Sequence, residues 1–277
     1  MQITEHVYNM HIDDGAASHP GGSNNFFVGD PKEEMILIDT GDYERKWTKS
    51  ILDYYEQLGC PSISAIVITH GHGDHTGGLD RIQEQLRAPV RCHPKLVQRL
   101  RKILDDGDLV IPLRSRERIV TGGDVGLQAL FTPGHEIDHV CYYLREDRVM
   151  FTGDTVLGAS STTVGDLTSY LNSLKLLTGF DHDVVCPAHG PVVPSPRGKI
   201  LVRRQLEHRL NREKQVINAM EKGLTGLAEI TSDIYPSNLK KALRPSAERN
   251  VSTHLQKLVD GGAVVENSST YHLNMKG

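Results

Sequence analysis

Thr69-His70-Gly71-His72-Gly73-Asp74-His75-Thr76-Gly77-Gly78 closes a short apolar run, residues 65–69 (AIVIT), that reads as a buried strand. The segment therefore lies in a loop at a strand's C-terminal end, where α/β sheets build their sites. Three histidines and an aspartate within six residues cannot all face a core. The intervening glycines let the chain curl so that these side chains converge. Neutral imidazole nitrogen and carboxylate oxygen are ordinary zinc donors.

The same context recurs three times along the chain. Pro133-Gly134-His135 follows residues 127–131, Gly153-Asp154 follows residues 148–152, and Pro187-Ala188-His189-Gly190 follows residues 184–186, each a short apolar run. One histidine after a strand is ordinarily a surface or satisfied side chain. Four strand ends that all carry ligand-type residues point to a common site. The donors are His70, His72, Asp74, His75, His135, Asp154 and His189. They suffice for two metals that share one carboxylate, and a pair about 3.5–4 Å apart can hold a hydroxide between them.

Further strands are expected at residues 35–39 and 140–144, and amphipathic helices at 45–57, 79–85, 94–104 and 167–177. Residues 105–124 lack a period and read as loop with short strands. Strands alternating with helices give a layered α/β domain, sheets inside and helices outside. Prolines at 187, 191, 194 and 196 break that pattern. Beyond them a long helix is expected at 199–222, shorter ones at 227–234, 238–243 and 251–259, and a strand, polar turn and strand over 263–273. Two helices and a hairpin resemble a winged-helix unit, which enters a nucleic-acid groove in some proteins and serves packing or assembly in others. A catalytic domain over residues 1–196 and a helical linker with a winged-helix-like domain over 197–277 follow from this division.

Composition sets outer bounds. The 277 residues are 38% hydrophobic and 24% charged, which is near the globular norm and excludes wholesale disorder. No apolar run approaches the ~20 residues of a membrane span, and residues 1–10 lack the basic and apolar regions of a signal peptide. Cys60, Cys92, Cys141 and Cys186 form no CxxC pair, so a reducing cytoplasm without a disulfide framework is expected. Residues 1–196 hold 17 Lys+Arg against 27 Asp+Glu (net −10), whereas residues 197–277 hold 14 against 8 (net +6). A basic tail on an acidic body suits an anionic partner or a solvated helical surface.

The order His-x-His-x-Asp-His, then His, Asp and His, resembles the metallo-β-lactamase superfamily over residues 22–191. That resemblance implies an α/β fold, an αββα sandwich with the site at one edge of its two sheets, here with a C-terminal helical, winged-helix-like extension. It implies that His70, His72 and His135 hold one metal, that Asp74, His75 and His189 hold a second, and that Asp154 bridges them. Two zinc ions are the implied cofactors, with iron or manganese as other occupants. Within the superfamily the chain is most similar to the lactamase-β-like 2 family, through Ser23-Asn24-Asn25-Phe26-Phe27-Val28-Gly29, Leu37-Ile38-Asp39-Thr40-Gly41, Thr132-Pro133-Gly134-His135 with Asp138-His139, Gly153-Asp154-Thr155-Val156-Leu157-Gly158 and Tyr170-Leu171-Asn172-Ser173-Leu174. That family contains endoribonucleases acting on single-stranded RNA and fungal thioesterases that release polyketides from a carrier protein. Residues 13–22 depart from its Pro-rich opening.

The expected chemistry is hydrolysis by a hydroxide held between two zinc ions, with Asp74 both ligand and catalytic group that orients or deprotonates the nucleophile. Cleavage of single-stranded RNA is the first reading, from the resemblance and the basic tail. Thioester or ester hydrolysis, of acyl-carrier or glutathione type, is the alternative. An iron-dependent sulfur dioxygenase and a nucleic-acid-binding module with structural metals are readings of other classes. Asp39 reads as a turn residue or as the partner that orients a ligand histidine, and His139 as a hydrogen-bonding group near the site. Tyr170 would donate to a substrate oxygen or pack on a helix face, and Asn24 would line the substrate mouth or cap a turn. No membrane partner is expected, and a homo-oligomer is compatible with the sequence.

Overall fold

The computed structural model describes residues 1–13 and 21–274. Most of the segment 13–22, where the chain departs from the family's Pro-rich opening, lies outside the described residues. A seven-stranded sheet runs in order β1 (Gln2–Thr4), β2 (Val7–Ile12), β3 (Ser23–Gly29), β4 (Glu34–Ile38), β5 (Ser62–Val67), β6 (Val90–Cys92) and β7 (Val110–Pro112). Its first four strands pair antiparallel and the rest are parallel from β4 onward. Helices α1 (Arg45–Gln57), α2 (Gly73–Thr76), α3 (Leu79–Leu86) and α4 (Val97–Leu100) lie between these strands in the chain. A second sheet holds β8 (Arg118–Thr121), β9 (Val125–Phe131), β10 (Val140–Leu144), β11 (Val149–Gly153) and β12 (Val184–Pro187), with α5 (Leu167–Leu177) before its last strand.

The two sheets pack face to face. Phe26, Val28 and Ile38 from the first meet Leu127, Tyr142 and Phe151 from the second, all buried. Phe26 and Phe151 sit edge to face with centroids 5.2 Å apart, a favoured aromatic geometry. The outer face of the first sheet buries Met35, Leu37 and Ile66 under Ile51 of α1 and Leu79 and Ile82 of α3. The outer face of the second buries Leu130 and Met150 under Leu167, Leu171 and Leu174 of α5. Helix, sheet, sheet, helix is the αββα order that the resemblance implies, and it is the layered α/β arrangement that the alternation of apolar runs led us to expect.

Beyond it run α6 (Arg197–Glu221), α7 (Leu227–Ile234), α8 (Arg244–Asp260) and the hairpin β13 (Val264–Asn267) with β14 (Thr270–Leu273). Val202 of α6 packs with α5, while Val216 and Met220 near its other end join Ile230, Val251 and Leu255 in a separate core. This is the helical winged-helix extension. No helix among the described residues is long and apolar enough to cross a membrane.

Several elements differ from the sequence reading. Strands β1 to β3 and β6 were not expected; in β3, Ser23, Asn24 and Asn25 open a strand whose every residue is buried and which shows no alternation. The short helix expected at 238–243 is a 3-10 turn, Lys241–Leu243. The helix at 94–104 contracts to a 3-10 turn, Pro94–Leu96, and α4. Asp106 accepts from the Asp108 backbone N–H just beyond, a local turn that competes with helix. Conversely α8 begins at Arg244, with Pro245 in its first turn. Its opening residues are mostly polar and carry no apolar period.

Hydrogen bonds tie the C-terminal strand ends into one edge. The Val140 N–H donates to the Thr69 carbonyl at 2.7 Å, joining the two sheets, and Ala188 N–H donates to Gly153 carbonyl at 3.0 Å. Phe151→Ala should empty the inter-sheet core behind this edge and cost about 3–5 kcal/mol, read as a lowered urea midpoint with an unchanged slope.

Candidate active site

The expected donors converge at that edge. Ligand atoms of His70, His72, His135 and Asp154 all lie within 4.8 Å of one another, and so do those of Asp74, His75 and His189. Asp154 faces both groups: its Oδ2 is 3.6 Å from His135 Nε2, while its Oδ1 is 3.3 Å from His189 Nε2 and 3.6 Å from His75 Nε2. Asp74 Oδ2 lies 3.2 Å from His189 Nε2.

Backbone close approach shapes the loop. A Cβ on Gly77 would stand 2.2 Å from the Tyr43 nitrogen, so only glycine lets α2 lie against the turn after β4. There Thr40 N–H donates to the His75 carbonyl and Gly77 N–H to the Gly41 carbonyl. Gly134, at φ +140°, would place a Cβ 2.4 Å from the Tyr170 backbone, and its freedom brings His135 in over α5.

The tautomers follow from partners that can only accept. His135 Nδ1 donates to the Thr163 carbonyl at 2.8 Å. His72 Nε2 donates to Glu136 Oε1 at 2.9 Å. The Thr69 hydroxyl donates to Asp39 Oδ2 at 2.7 Å and therefore accepts from His70 Nδ1 at 3.1 Å. Each ring then turns a lone pair inward. Those lone pairs meet: His70 Nε2 is 2.9 Å and His135 Nε2 is 3.2 Å from His72 Nδ1. Three acceptors at this distance repel unless a cation lies among them, so the residues fit a divalent metal. The second group fits too. His75 Nε2 and Asp154 Oδ1 are buried with no hydrogen-bond partner among the described residues.

Burial, then the neighbouring imidazoles led by His75, hold the His70 pKa well below its ordinary value, so the ring is neutral and ready to ligate. At His75 burial works in the same direction, but the charges of Asp39 and Asp154, the hydrogen bond to Asp39 and the charge of Asp74 push it up to about 10. Burial raises the Asp74 carboxyl, yet the hydrogen bond with His189 and the charges of His75 and His189 bring it well below the usual range.

Asp39 is buried at φ 60° and accepts from the Thr69 N–H at 2.7 Å and His75 Nδ1 at 2.8 Å. It fixes both the tautomer and the direction of His75. His139 is fully buried; its Nε2 accepts the Asp154 N–H at 3.1 Å and its Nδ1 lies 2.9 Å from Thr132 Oγ1. It aims the carboxylate loop rather than holding a metal.

Two placements correct the sequence reading. Tyr170 is fully buried, and its hydroxyl donates to the Thr155 carbonyl at 2.7 Å, so it packs α5 and does not reach a substrate. Asn24 is buried as well, donating to the Pro187 and Gly190 carbonyls at 2.9 and 2.8 Å. It is a strut under the His189 loop, not part of a mouth. Several partners were not expected: Ser23 Oγ at 2.8 Å from His189 Nδ1, Glu136 on His72, and Thr162 Oγ1 at 3.1 Å from His135 Nδ1. Of these Ser23 lay within a quoted motif and Glu136 beside one; Thr162 carries no local signal. The opening lies where the side chains of His72 and Asp74 are 43% and 19% exposed, against 2–4% for His75 and His189.

Asp39→Ala should weaken metal binding about 10–100-fold by chelator competition, with the fold retained by circular dichroism. A metal must also displace the His75 proton. Because that pKa is raised to about 10, apparent affinity should climb steadily between about pH 6 and pH 8.

Residues 19–189 match the metallo-beta-lactamase superfamily, and residues 227–271 match the beta-lactamase associated winged helix domain. The chain is 34% identical over 254 residues, 88% of its length and 72% of the other's, to an atrochrysone carboxyl ACP thioesterase of Passalora fulva. It is 33% identical over 256 residues, 89% of its length and 81% of the other's, to a beta-lactamase-like protein 2 homolog of Caenorhabditis elegans. A metallo-beta-lactamase family protein from Thermus thermophilus superposes with a TM-score of 0.73 at 20% identity, covering 97% of this chain and 98% of that one. With donors, sandwich and winged helix all in place, the chain belongs to the metallo-β-lactamase superfamily and is a hydrolase of that fold.

Proposed function

We propose that this protein hydrolyses a thioester, with acyl groups carried on a phosphopantetheine-type thiol as the favoured class. The observation that carries this reading is the likeness to a carrier-protein thioesterase over both the sandwich and the tail, 88% of the chain. Zinc is the metal we assign, because five histidines and two carboxylates make a nitrogen-rich donor set.

Divalent metals held by His70, His72, His135 and Asp154, and by Asp74, His75, His189 and Asp154, would supply a water with its pKa lowered to about 7 and polarise the acyl carbonyl. The chain supplies the rest. Asp74, ionised and facing the opening, accepts a hydrogen bond from the attacking water and orients it. Asp39, through His75, and Glu136, through His72, hold the donors against rotation. A cleft of about 270 Å³ lined by Pro133, His135, Glu136 and the exposed Ile137 lies beside the opening and offers apolar surface to an acyl chain. A thiol of ordinary pKa about 8.5 leaves readily as the thiolate.

Single-stranded RNA is the other reading, and the +6 charge of residues 197–277 favours it. The wing weighs on the other side. Residues 264–273 contain no Lys or Arg, although a wing that grips phosphates needs cations.

Zinc-loaded protein should turn over S-acyl-N-acetylcysteamine, with Asp74→Ala slower by about 10²–10⁴-fold. End-labelled single-stranded RNA should survive the same preparation. Metal-dependent RNA cleavage without thioester turnover would reverse this conclusion, and iron in the purified protein with thiol-dependent oxygen uptake and no hydrolysis would move it to the dioxygenase class.

A further inference from the structure

A second cavity, of about 350 Å³, opens between the segment 161–164 of the sandwich and helices α6 and α8, with Arg209, Arg212, Arg249 and His254 on its walls. None of these arginines pairs with a carboxylate among the described residues. Arg209 is 3% exposed and spends one Nη on the Thr162 carbonyl at 3.2 Å, while its Nε has no partner. Arg212 stacks on Tyr235, 4.2 Å from the ring centroid, and its Nε is also buried without a partner. His254 is completely buried, yet neither ring nitrogen makes a hydrogen bond. The carboxylate facing it, Glu213, is 3.9 Å from its Nδ1 and is taken by Lys257 at 2.7 Å.

Buried donors left unmade are costly, and uncompensated cations at a low-dielectric wall are more so. Burial first, and then the charges of Arg209, Arg212 and Lys257, hold the His254 pKa down to about 3, so the ring is neutral and offers one N–H to an anion. A dianionic oxyanion is the ligand that matches guanidinium forks and an imidazole donor together. We propose that this interdomain cleft binds a phosphate group, held by Arg212, Arg249 and His254. Its wall is tied to the metal site by hydrogen bonds, because Arg209 holds Thr162 and the segment Thr162–Thr163 holds His135 Nδ1. The phosphate has two possible sources: the carrier of the thioester, which rests on the function proposed above, or a free phosphate acting as an effector, which does not.

Calorimetric titration of the zinc-loaded enzyme with inorganic phosphate tests the site. Arg249 is exposed at the rim, so Arg249→Ala leaves the core intact, and Arg212→Lys keeps the charge while removing the fork. Affinity should fall about tenfold in Arg249→Ala and measurably in Arg212→Lys. Equal affinity in wild type and both variants overturns the proposal. The source is read from the ratio of KM for an acyl-coenzyme A to KM for the phosphate-free S-acyl-N-acetylcysteamine. A ratio raised about tenfold in Arg249→Ala assigns the site to the carrier's phosphate. An unmoved ratio with lost phosphate affinity assigns it to a free effector. If no thioester is hydrolysed while phosphate affinity still depends on Arg249, the phosphate site stands and the thioesterase reading falls.

Discussion

Acceptor faces acceptor at the centre of this molecule. Nitrogen lone pairs of His70, His72 and His135 point at one another across 2.9 and 3.2 Å, and no arrangement of protons on neutral rings relieves all of them. Their outer nitrogens are committed to Thr69, Glu136 and Thr163, so the rings cannot flip to escape. The fold stores this repulsion as an affinity for a cation. Metal binding is therefore linked to folding stability here, since whatever binds only the native state stabilises it.

Everything around the centre serves to hold it. Parallel pairing of β4 with β5 and of β11 with β12 places four chain segments at one edge. The Val140–Thr69 hydrogen bond keeps the two sheets from sliding there. Asp39 reaches the site because its backbone takes a left-handed conformation directly after β4, turning its carboxylate toward Thr69 and His75. Such strain in a non-glycine residue persists where the surrounding bonds over-determine it. The extension joins the same network through Arg209, Thr162 and His135, which makes the tail part of the enzyme's interior as well as its surface.

Errors in the sequence reading share one cause. Asn24 and Tyr170 carry polar groups, and a polar group in a motif invites a substrate. Both are in fact consumed by backbone carbonyls of other segments, for Asn24 more than 160 residues away and for Tyr170 from the loop after β11. The net charge of the tail is likewise blind to placement. A sum of Lys and Arg does not say that Arg209 is buried or that Arg212 lies on Tyr235. Helices α1, α5 and α7 were legible to the residue, because local apolar period and turn signals decide them. Strand β3 was not, because its polar residues are buried by partners that only tertiary contact supplies.

By itself the sequence determined the donor set, the alternating order of strands and helices, and the break near residue 196 that precedes the helical tail. These are local: spacing, period and proline act within a few residues. Tertiary structure alone decided which nitrogen of each histidine faces inward and that a positive cleft lies behind His135. Those depend on partners more than 25 residues away in the chain, such as Thr163 for His135, Glu136 for His72 and, acting through Thr69, Asp39 for His70. A hydrogen bond across such a distance exists only after the chain has folded, and no local pattern announces it.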